Sequence, residues 1–451
     1  MKQFIQNIAY TLLILITGLT PTALKAQTLQ GQVPHLRPYD QTGINYFETI
    51  KKDSTPYDGM KFRIGAGFAQ EFQSLKEQNY LGSDKSSANT SLYKISPGFN
   101  QAMANLYTDF LLADGVHLNL TLYLSTRHHN ETWVKGGYLQ FDKLPLKGQF
   151  FADLMKYTTI KLGQYEVDYG DQHFRRTDAG NAIYNPFIEN YIVDAFATEI
   201  GGEVTVQNKG LFGVVGVTNG MLKASIDSVA RNAANGNIRK NPAIYAKVGI
   251  DKQLCDVVRL RLSASGYHIA SSPSNDLYFG DRAGSNYWMV MEKPYTVPAS
   301  GTSAYEGDGF SGRLNPGFGY KVDAAMLNGF VKIAGLEIFG TYEHAEGRGV
   351  SEKRNRSMNQ YAVDGIYRFG WNPKKDNLYV GVRYNGVTTQ LANMKNDITV
   401  NRLAAAGGWF LTKNVLLKGE YVTQKYLDFP TGDIRNGGKF WGYVVSAVVG
   451  F

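Results

Sequence analysis

Val116-His-Leu-Asn-Leu-Thr-Leu-Tyr-Leu124 alternates without a fault. Every even position is Val or Leu, and His117, Asn119, Thr121 and Tyr123 take the odd ones. In a β-strand successive side chains point to opposite faces, so this stretch has one apolar face and one polar face. The pattern recurs along the chain. Leu378-Tyr-Val-Gly-Val-Arg-Tyr384 repeats it with Arg383 on the polar side, as do Arg259-Leu-Arg-Leu-Ser263 and Tyr361-Ala-Val-Asp-Gly-Ile-Tyr-Arg368. Strands are predicted near 60–72, 99–111, 115–127, 134–142, 157–167, 196–206, 211–219 and 242–251. Eight more follow near 256–269, 319–331, 335–344, 359–369, 377–387, 401–411, 415–426 and 440–451.

The connections between them alternate in length. Those at 112–115, 207–210, 252–255, 332–334 and 412–414 are short, whereas 168–195, 220–241 and 270–318 are long. Outer-membrane barrels have short periplasmic turns and long extracellular loops, and a soluble sandwich has no reason to keep that asymmetry. The expected fold is therefore all-β, a transmembrane antiparallel β-barrel of about sixteen strands. Residues 143–156 break the alternation and are read as a small helix or a misplaced strand.

Composition agrees. The 451 residues carry 19% charged side chains, 13% aromatics, 49 Gly and a net charge of +8. Disordered chains lack aromatics and carry strong net charge, so disorder is excluded. A mean hydropathy of −0.27, with an apolar run only near the start, excludes a bundle of membrane helices. Residues 1–26 read as a signal peptide: Lys2, an apolar run over 9–19, and a cut after Ala26. Residues 27–57 are too few for a folded plug and read as a periplasmic or lumen-lining extension, followed by the barrel over 58–451. The single Cys255 cannot form an internal disulfide. A closed barrel supplies stability by pairing every backbone group.

The last strand points the same way. Tyr443, Val445, Ala447, Val449 and Phe451 form an apolar set at every second position. An ending of this kind resembles the signal read by the barrel assembly machinery, with Tyr443 and Phe451 as its aromatic marks. It places Phe451 at the periplasmic rim and the long loops outside, with outer-membrane lipid around the wall.

Parity assigns the lumen face. Lys161, Lys247, Arg259, Arg261, Arg368, Arg383 and Lys418 point inward, with Asp251, Glu337, Glu343, Asp364 and Glu420, because an Arg or Lys facing mid-bilayer lipid costs about 2–4 kcal/mol. Lys247, Arg259 and Arg261 read as a basic patch that concentrates anions, set against a plain solvated wall. Loop 168–195 holds His173, Arg175 and Arg176 among Asp168, Asp171, Asp178 and Glu189. Its own Ile183, Tyr184, Phe187 and Ile192 let it fold inward as a constriction or pack outside on its neighbours. Asp171, Asp178 and Asp251 are the expected balancing charges. Loop 270–318, with Tyr278, Phe279, Tyr287, Trp288, Met289, Tyr295, Tyr305 and Phe310, reads as a lid, a saccharide-stacking surface, a subunit latch or plain extracellular packing.

Ile160-Lys-Leu-Gly-Gln-Tyr-Glu-Val-Asp-Tyr-Gly170 resembles a strand motif of the phosphate-selective porin O and P family. Leu36-Arg-Pro-Tyr-Asp-Gln-Thr-Gly-Ile-Asn45 resembles the mature start of Bacteroidota outer-membrane proteins, with a similar Ala-Gln junction. The first resemblance implies a trimeric sixteen-stranded channel for passive anion uptake. Glu166 and Asp168 stand where its motif carries Lys and Pro, and no phosphate-binding residue is carried over.

Catalytic motifs are absent: no Gly-x-Ser-x-Gly, His-Glu-x-x-His or phosphate loop occurs. His128, His129 and His173 lie in expected external loops and read as solvated, with no partner ligands at metal spacing. A membrane-embedded hydrolase is disfavoured because no nucleophile–base pair is visible. The expectation is a non-enzymatic porin without cofactor, metal or nucleic-acid partner, passing small anionic or neutral solutes with a mild anion preference. The competing expectation is a structural or accessory barrel of a secretion or surface-assembly complex.

Overall fold

In the computed structural model the described residues are 33–49, 51, 57–80, 92–124, 132–222, 227–232, 234–279, 286–294, 312–370 and 377–451. The expected signal peptide, His128, His129, Tyr295, Tyr305 and Phe310 lie outside them. Sixteen antiparallel strands form a closed barrel. They are β1 Lys61–Gln78, β2 Met103–Ala113, β3 Val116–Tyr123, β4 Trp133–Phe141, β5 Thr158–Glu166, β6 Thr198–Asn208, β7 Leu211–Thr218 and β8 Ala243–Cys255. The second half is β9 Val258–Ile269, β10 Lys321–Ile333, β11 Leu336–Arg348, β12 Arg356–Phe369, β13 Leu378–Thr389, β14 Ile398–Thr412, β15 Val415–Leu427 and β16 Lys439–Gly450. Each expected strand has its counterpart. Sequence neighbours pair throughout, and β1 closes the ring on β16 from Gly67↔Gly450 to Gln78↔Lys439. The terminal residue joins this seam: Phe451 N–H donates to Ala66 O at 3.0 Å, and Ala66 N–H donates to Phe451 O at 2.8 Å. Closure leaves no edge to pair with another chain.

Local chemistry shapes the short turns. Lys209 and Gly210 both have positive φ, 50° and 86°, the mirror-image turn that matches strand twist between β6 and β7. Register shifts at Leu111/Ala113, Gln253/Cys255 and Phe410/Thr412 end three ladders beside such turns. The long connection between β4 and β5 contains a helix, α1, Gln149–Met155, so the small-helix reading holds and no strand was misplaced.

The barrel is inside-out relative to a soluble protein. Leu262 is 51% exposed, while Arg261 beside it is 1% exposed. Val215, Val248, Val363, Val380, Val382, Leu403 and Val445 share the outer surface with Leu262. Lys247, Glu337, Glu343, Asp364, Arg383, Lys418 and Glu420 are buried inside. Burial of charge on this scale requires partners within the lumen. No helix among the described residues is long and apolar enough to cross a membrane; the strands of the outer-membrane barrel cross instead, with the apolar face outward.

Candidate functional site

Two chain segments occupy the lumen, residues 167–197 and a strap formed by residues 33–49. The loop leaves β5 and runs past nearly the whole inner wall. Gly170 N–H donates to Ser265 Oγ on β9 (2.9 Å) and Asp171 N–H to Asn328 on β10 (2.9 Å). Farther on, Gly180 N–H donates to Asn105 on β2 (3.0 Å). Lys418 on β15 donates to Ala182 O, Asn185 O and Phe187 O at 2.9, 3.0 and 2.8 Å. Ile192 and Val193 amides reach Asn385 on β13 (2.6 Å) and Gln360 on β12 (3.0 Å). At the near crossing of β1, a Cβ on Gly180 would stand 2.4 Å from Gly67 O, so this approach needs glycine. Ile183, Phe187, Ile188, Ile192 and Val193 are buried, which anchors the loop by apolar packing as well. The inward fold is one of the two arrangements its own apolar residues allowed.

The strap was read as an extension whose place the sequence left open. The structure places residues 33–49 against the loop and the periplasmic half of the wall. Gln41 N–H donates to Lys413 O in a periplasmic turn (2.9 Å), Arg37 donates to Phe174 O (2.8 Å), and Tyr39 donates to Asp109 on β2 (3.1 Å). Tyr39 also stacks on Tyr107 with ring centroids 4.0 Å apart.

Charges meet where loop, strap and wall converge. Arg261 forks between Asp171 of the loop (2.7 Å) and Glu48 of the strap (2.6 Å). Lys247 contacts Asp168, Asp171 (3.1 Å) and Glu48 (3.3 Å). Arg259 grips Asp251 with two bonds of 2.7 and 2.8 Å and donates to Asn45 O (2.9 Å). Lys247, Arg259 and Arg261 do come together, but acids interleave them, so the expected bare basic patch is a compensated cluster. Buried cations side by side, as Lys247 and Arg261 are, require that compensation. Of the expected balancing acids, Asp171 and Asp251 serve here. Asp178 sits elsewhere, with Arg176 (3.2 Å) and Lys135.

Arg175 donates to Asn45 Oδ1, and Asn45 Nδ2 donates to Glu337 (2.7 Å), which also takes Arg368 (3.0 Å). Asn45 thus bridges the Arg175 and Arg259 sets. Arg176 forks onto Asp194 (2.6 and 3.1 Å) and lies 3.7 Å over the Phe196 ring. Arg383 forks onto Asp364 (2.7 and 2.8 Å), and Lys161 holds Glu203 (3.0 Å).

His173, read as a solvated loop histidine, is buried between Glu166 (2.7 Å) and Asp168 (2.9 Å). Burial by itself would lower its pKa, but the two carboxylates outweigh it and hold the ring above its ordinary value. Burial would likewise raise Asp168 and Asp171. Lys247, with His173 for Asp168 and Arg261 for Asp171, reverses this and keeps both well below the usual carboxylate range. Among the described residues no cluster of His, Cys, Asp and Glu fits a metal ion.

Parts of the longest loop roof the mouth. Trp288 exchanges two 3.0 Å bonds with Gln73 of β1, Asn286 N–H donates to Glu189 (2.6 Å), and Leu314 N–H donates to Ile192 O (2.7 Å). Tyr278, Tyr287 and Trp288 are buried, whereas Phe279 is exposed.

Space remains beneath. A cavity of about 220 Å³ lies between the strap and the β2–β6 wall, and one of about 490 Å³ opens at the periplasmic end beside α1. Tyr46, Phe47 and Glu48 line both. Glu48, Asn45 and Arg402 were missed from sequence. The extension carries no periodic signal, and the alternation of β14 was read without assigning Arg402 to a face.

No family model and no curated protein matches the chain. Solved structures do. The chain is similar to "Anion-selective porin from Comamonas acidovorans" at 11% identity and a TM-score of 0.51, over 87% of this chain and 100% of that one. It also aligns with "OmpT (in-vitro folded), an outer membrane protein of Vibrio cholerae" (11% identity, 88% and 99% coverage, TM-score 0.49). "Salmonella typhi OmpF complex with Daunomycin" aligns at 11%, with 88% and 99% coverage and a TM-score of 0.47. The likeness is one of fold. Of these three the Comamonas porin alone reaches a TM-score of 0.5, and it bears on the barrel architecture only.

Proposed function

We propose that this chain is an outer-membrane porin, a passive diffusion channel for small hydrophilic solutes narrowed by its own strap and third external loop. The observation that carries this reading is the pair of cavities, each bordered by charged side chains and sharing Tyr46, Phe47 and Glu48, inside a closed barrel. A barrel needed only as a scaffold has no use for internal space bordered by charges on both sides. A mild anion preference arises at the periplasmic cavity, where Lys51, Lys156, Lys209, Arg259 and Arg261 outnumber Glu48 and Asp251. The resemblance to the phosphate-selective family supports the channel, not the phosphate. Its motif Lys161 is held by Glu203, and Glu166 and Asp168 are spent on His173. A homotrimer is part of the same resemblance, and chemical cross-linking in native membranes checks it.

A second reading has an observation of its own. The loop fills the lumen with buried Ile183, Phe187 and Ile192, as a permanently closed accessory barrel would. Planar-bilayer recording separates the two. Discrete conductance steps, with a reversal potential shifted toward anions in asymmetric salt, are expected of the porin. Silent, correctly folded protein would leave the accessory barrel.

Assembly is tested apart from conduction. Phe451 is exposed beside the closing seam, as a residue read by another protein must be. Phe451→Asp should strand the chain in the periplasm, and normal amounts of heat-modifiable barrel in the outer membrane would show that Phe451 is no assembly signal.

A further inference from the structure

We propose that the cavity between the strap and the β2–β6 wall is a binding site for a neutral, hydroxylated solute of monosaccharide size; this names the substrate class of the channel and rests on that reading. Size comes first. The cavity measures about 220 Å³, and an engineered cavity of about 150 Å³ accommodates benzene. A six-membered ring with hydroxyl substituents therefore fits, and a disaccharide does not.

Charge selects further. Arg37, Lys135, Lys161 and His173 line the space, and so do Glu48, Glu166, Asp168 and Asp178. Each is engaged. Lys135 meets Asp178, His173 meets Glu166 and Asp168, Lys161 meets Glu203, Glu48 meets Lys247 and Arg261, and Arg37 lies 3.5 Å over the Tyr184 ring. An entering cation finds each of the four carboxylates already paired with a Lys, Arg or His; an entering anion faces those four carboxylates, and Arg37 is held by the carbonyls of Gly43 and Phe174 and by the Tyr184 ring. A neutral polar ring avoids that desolvation cost.

Polar contacts are available to it. Gln140 is 1% exposed, its amide nitrogen donates to Asp142 (2.7 Å), and its Oε1 is buried without a partner on the cavity wall. A buried acceptor left unmade is costly, and a solute hydroxyl would satisfy it. Thr205 and the half-buried Tyr138 lie on the same wall, offering a hydroxyl and an aromatic ring for the C–H face of a sugar.

The test uses the full-length protein in liposomes and compares initial uptake of glucose, glucuronate and glucosamine, three pyranose sugars that differ mainly in charge. Glucose should enter at least about threefold faster than either charged analogue. Gln140→Leu and the isosteric Thr205→Val should each slow glucose about threefold relative to that variant's own ion conductance, the effect of one hydrogen bond. Heat-modifiable mobility reports whether the variants fold, and if neither does, the wild-type comparison of three solutes still decides. Equal rates, or faster glucuronate, in protein that conducts ions would overturn the site and leave the channel standing. Protein that neither conducts ions nor takes up solute would overturn the channel reading itself.

Discussion

The two faces of a single strand show how differently this molecule is held together outside and inside. On β13, Val382 is 52% exposed and Arg383 is 3% exposed, one residue apart. Outside, the wall is apolar and tolerates any residue that lipid tolerates. Inside, nearly every charge has a named partner: Arg383 with Asp364, Arg368 with Glu337, Arg261 with Asp171 and Glu48. The outer face is specified by composition, the inner face by pairing. Composition can be read along a strand, whereas pairing joins residues far apart in sequence.

Breaking each face in turn gives the largest effects. Arg383→Met strands Asp364 in a water-poor lumen, and removing one partner of a buried pair costs about 3–5 kcal/mol. The double variant Arg383→Met/Asp364→Asn should recover most of that loss, because nothing charged is then left unpaired. Val382→Arg, on the opposite face, should cost about 2–4 kcal/mol with no second-site partner able to rescue it. Urea titrations of the refolded barrel in bilayers measure all three. Equal rescue on both faces would erase the distinction.

A smaller effect separates two arginines on one face. Arg261 ties loop and strap together through Asp171 and Glu48, whereas Arg259 engages Asp251 and the strap backbone. Arg261→Glu sets a third carboxylate between Asp171 and Glu48 and should loosen both segments, raising single-channel conductance and its noise. Arg259→Glu should chiefly move the reversal potential toward cations, an effect that shrinks at high salt. Identical traces from the two variants would mean that neither arginine governs the path.

The smallest expected effect is a pH dependence. His173 has its pKa raised in the folded chain, so its contribution to seating the loop is complete below the unfolded value of about 6.5 and fades as pH rises through the folded value. Asp168 and Asp171 are lowered, so theirs is complete above about 4 and fades as acid reaches their folded values. The loop should therefore sit most firmly between about pH 4 and 6.5. Cleavage by an added protease within 168–195 should rise modestly from pH 6 to 9, and His173→Gln should flatten that rise. A profile unchanged by the substitution would place the titration elsewhere.

Strand alternation and loop asymmetry were enough to read sixteen strands and which of their side chains face inward, because period two is a local property that an apolar surface on one side makes strict. Lys161, Lys247, Arg259, Arg368 and Lys418 point inward as parity required. The folding inward of 168–195 was half legible, from apolar residues too numerous for a loop in water. What tertiary structure alone decided is the state of the lumen. Whether Lys247, Arg259 and Arg261 form a bare basic surface or a compensated cluster depends on Asp168 and Asp171 arriving from one segment and Glu48 from another. Those residues lie about eighty and two hundred positions away in the chain, and burial gives them their strength only once barrel, loop and strap have excluded the water between them.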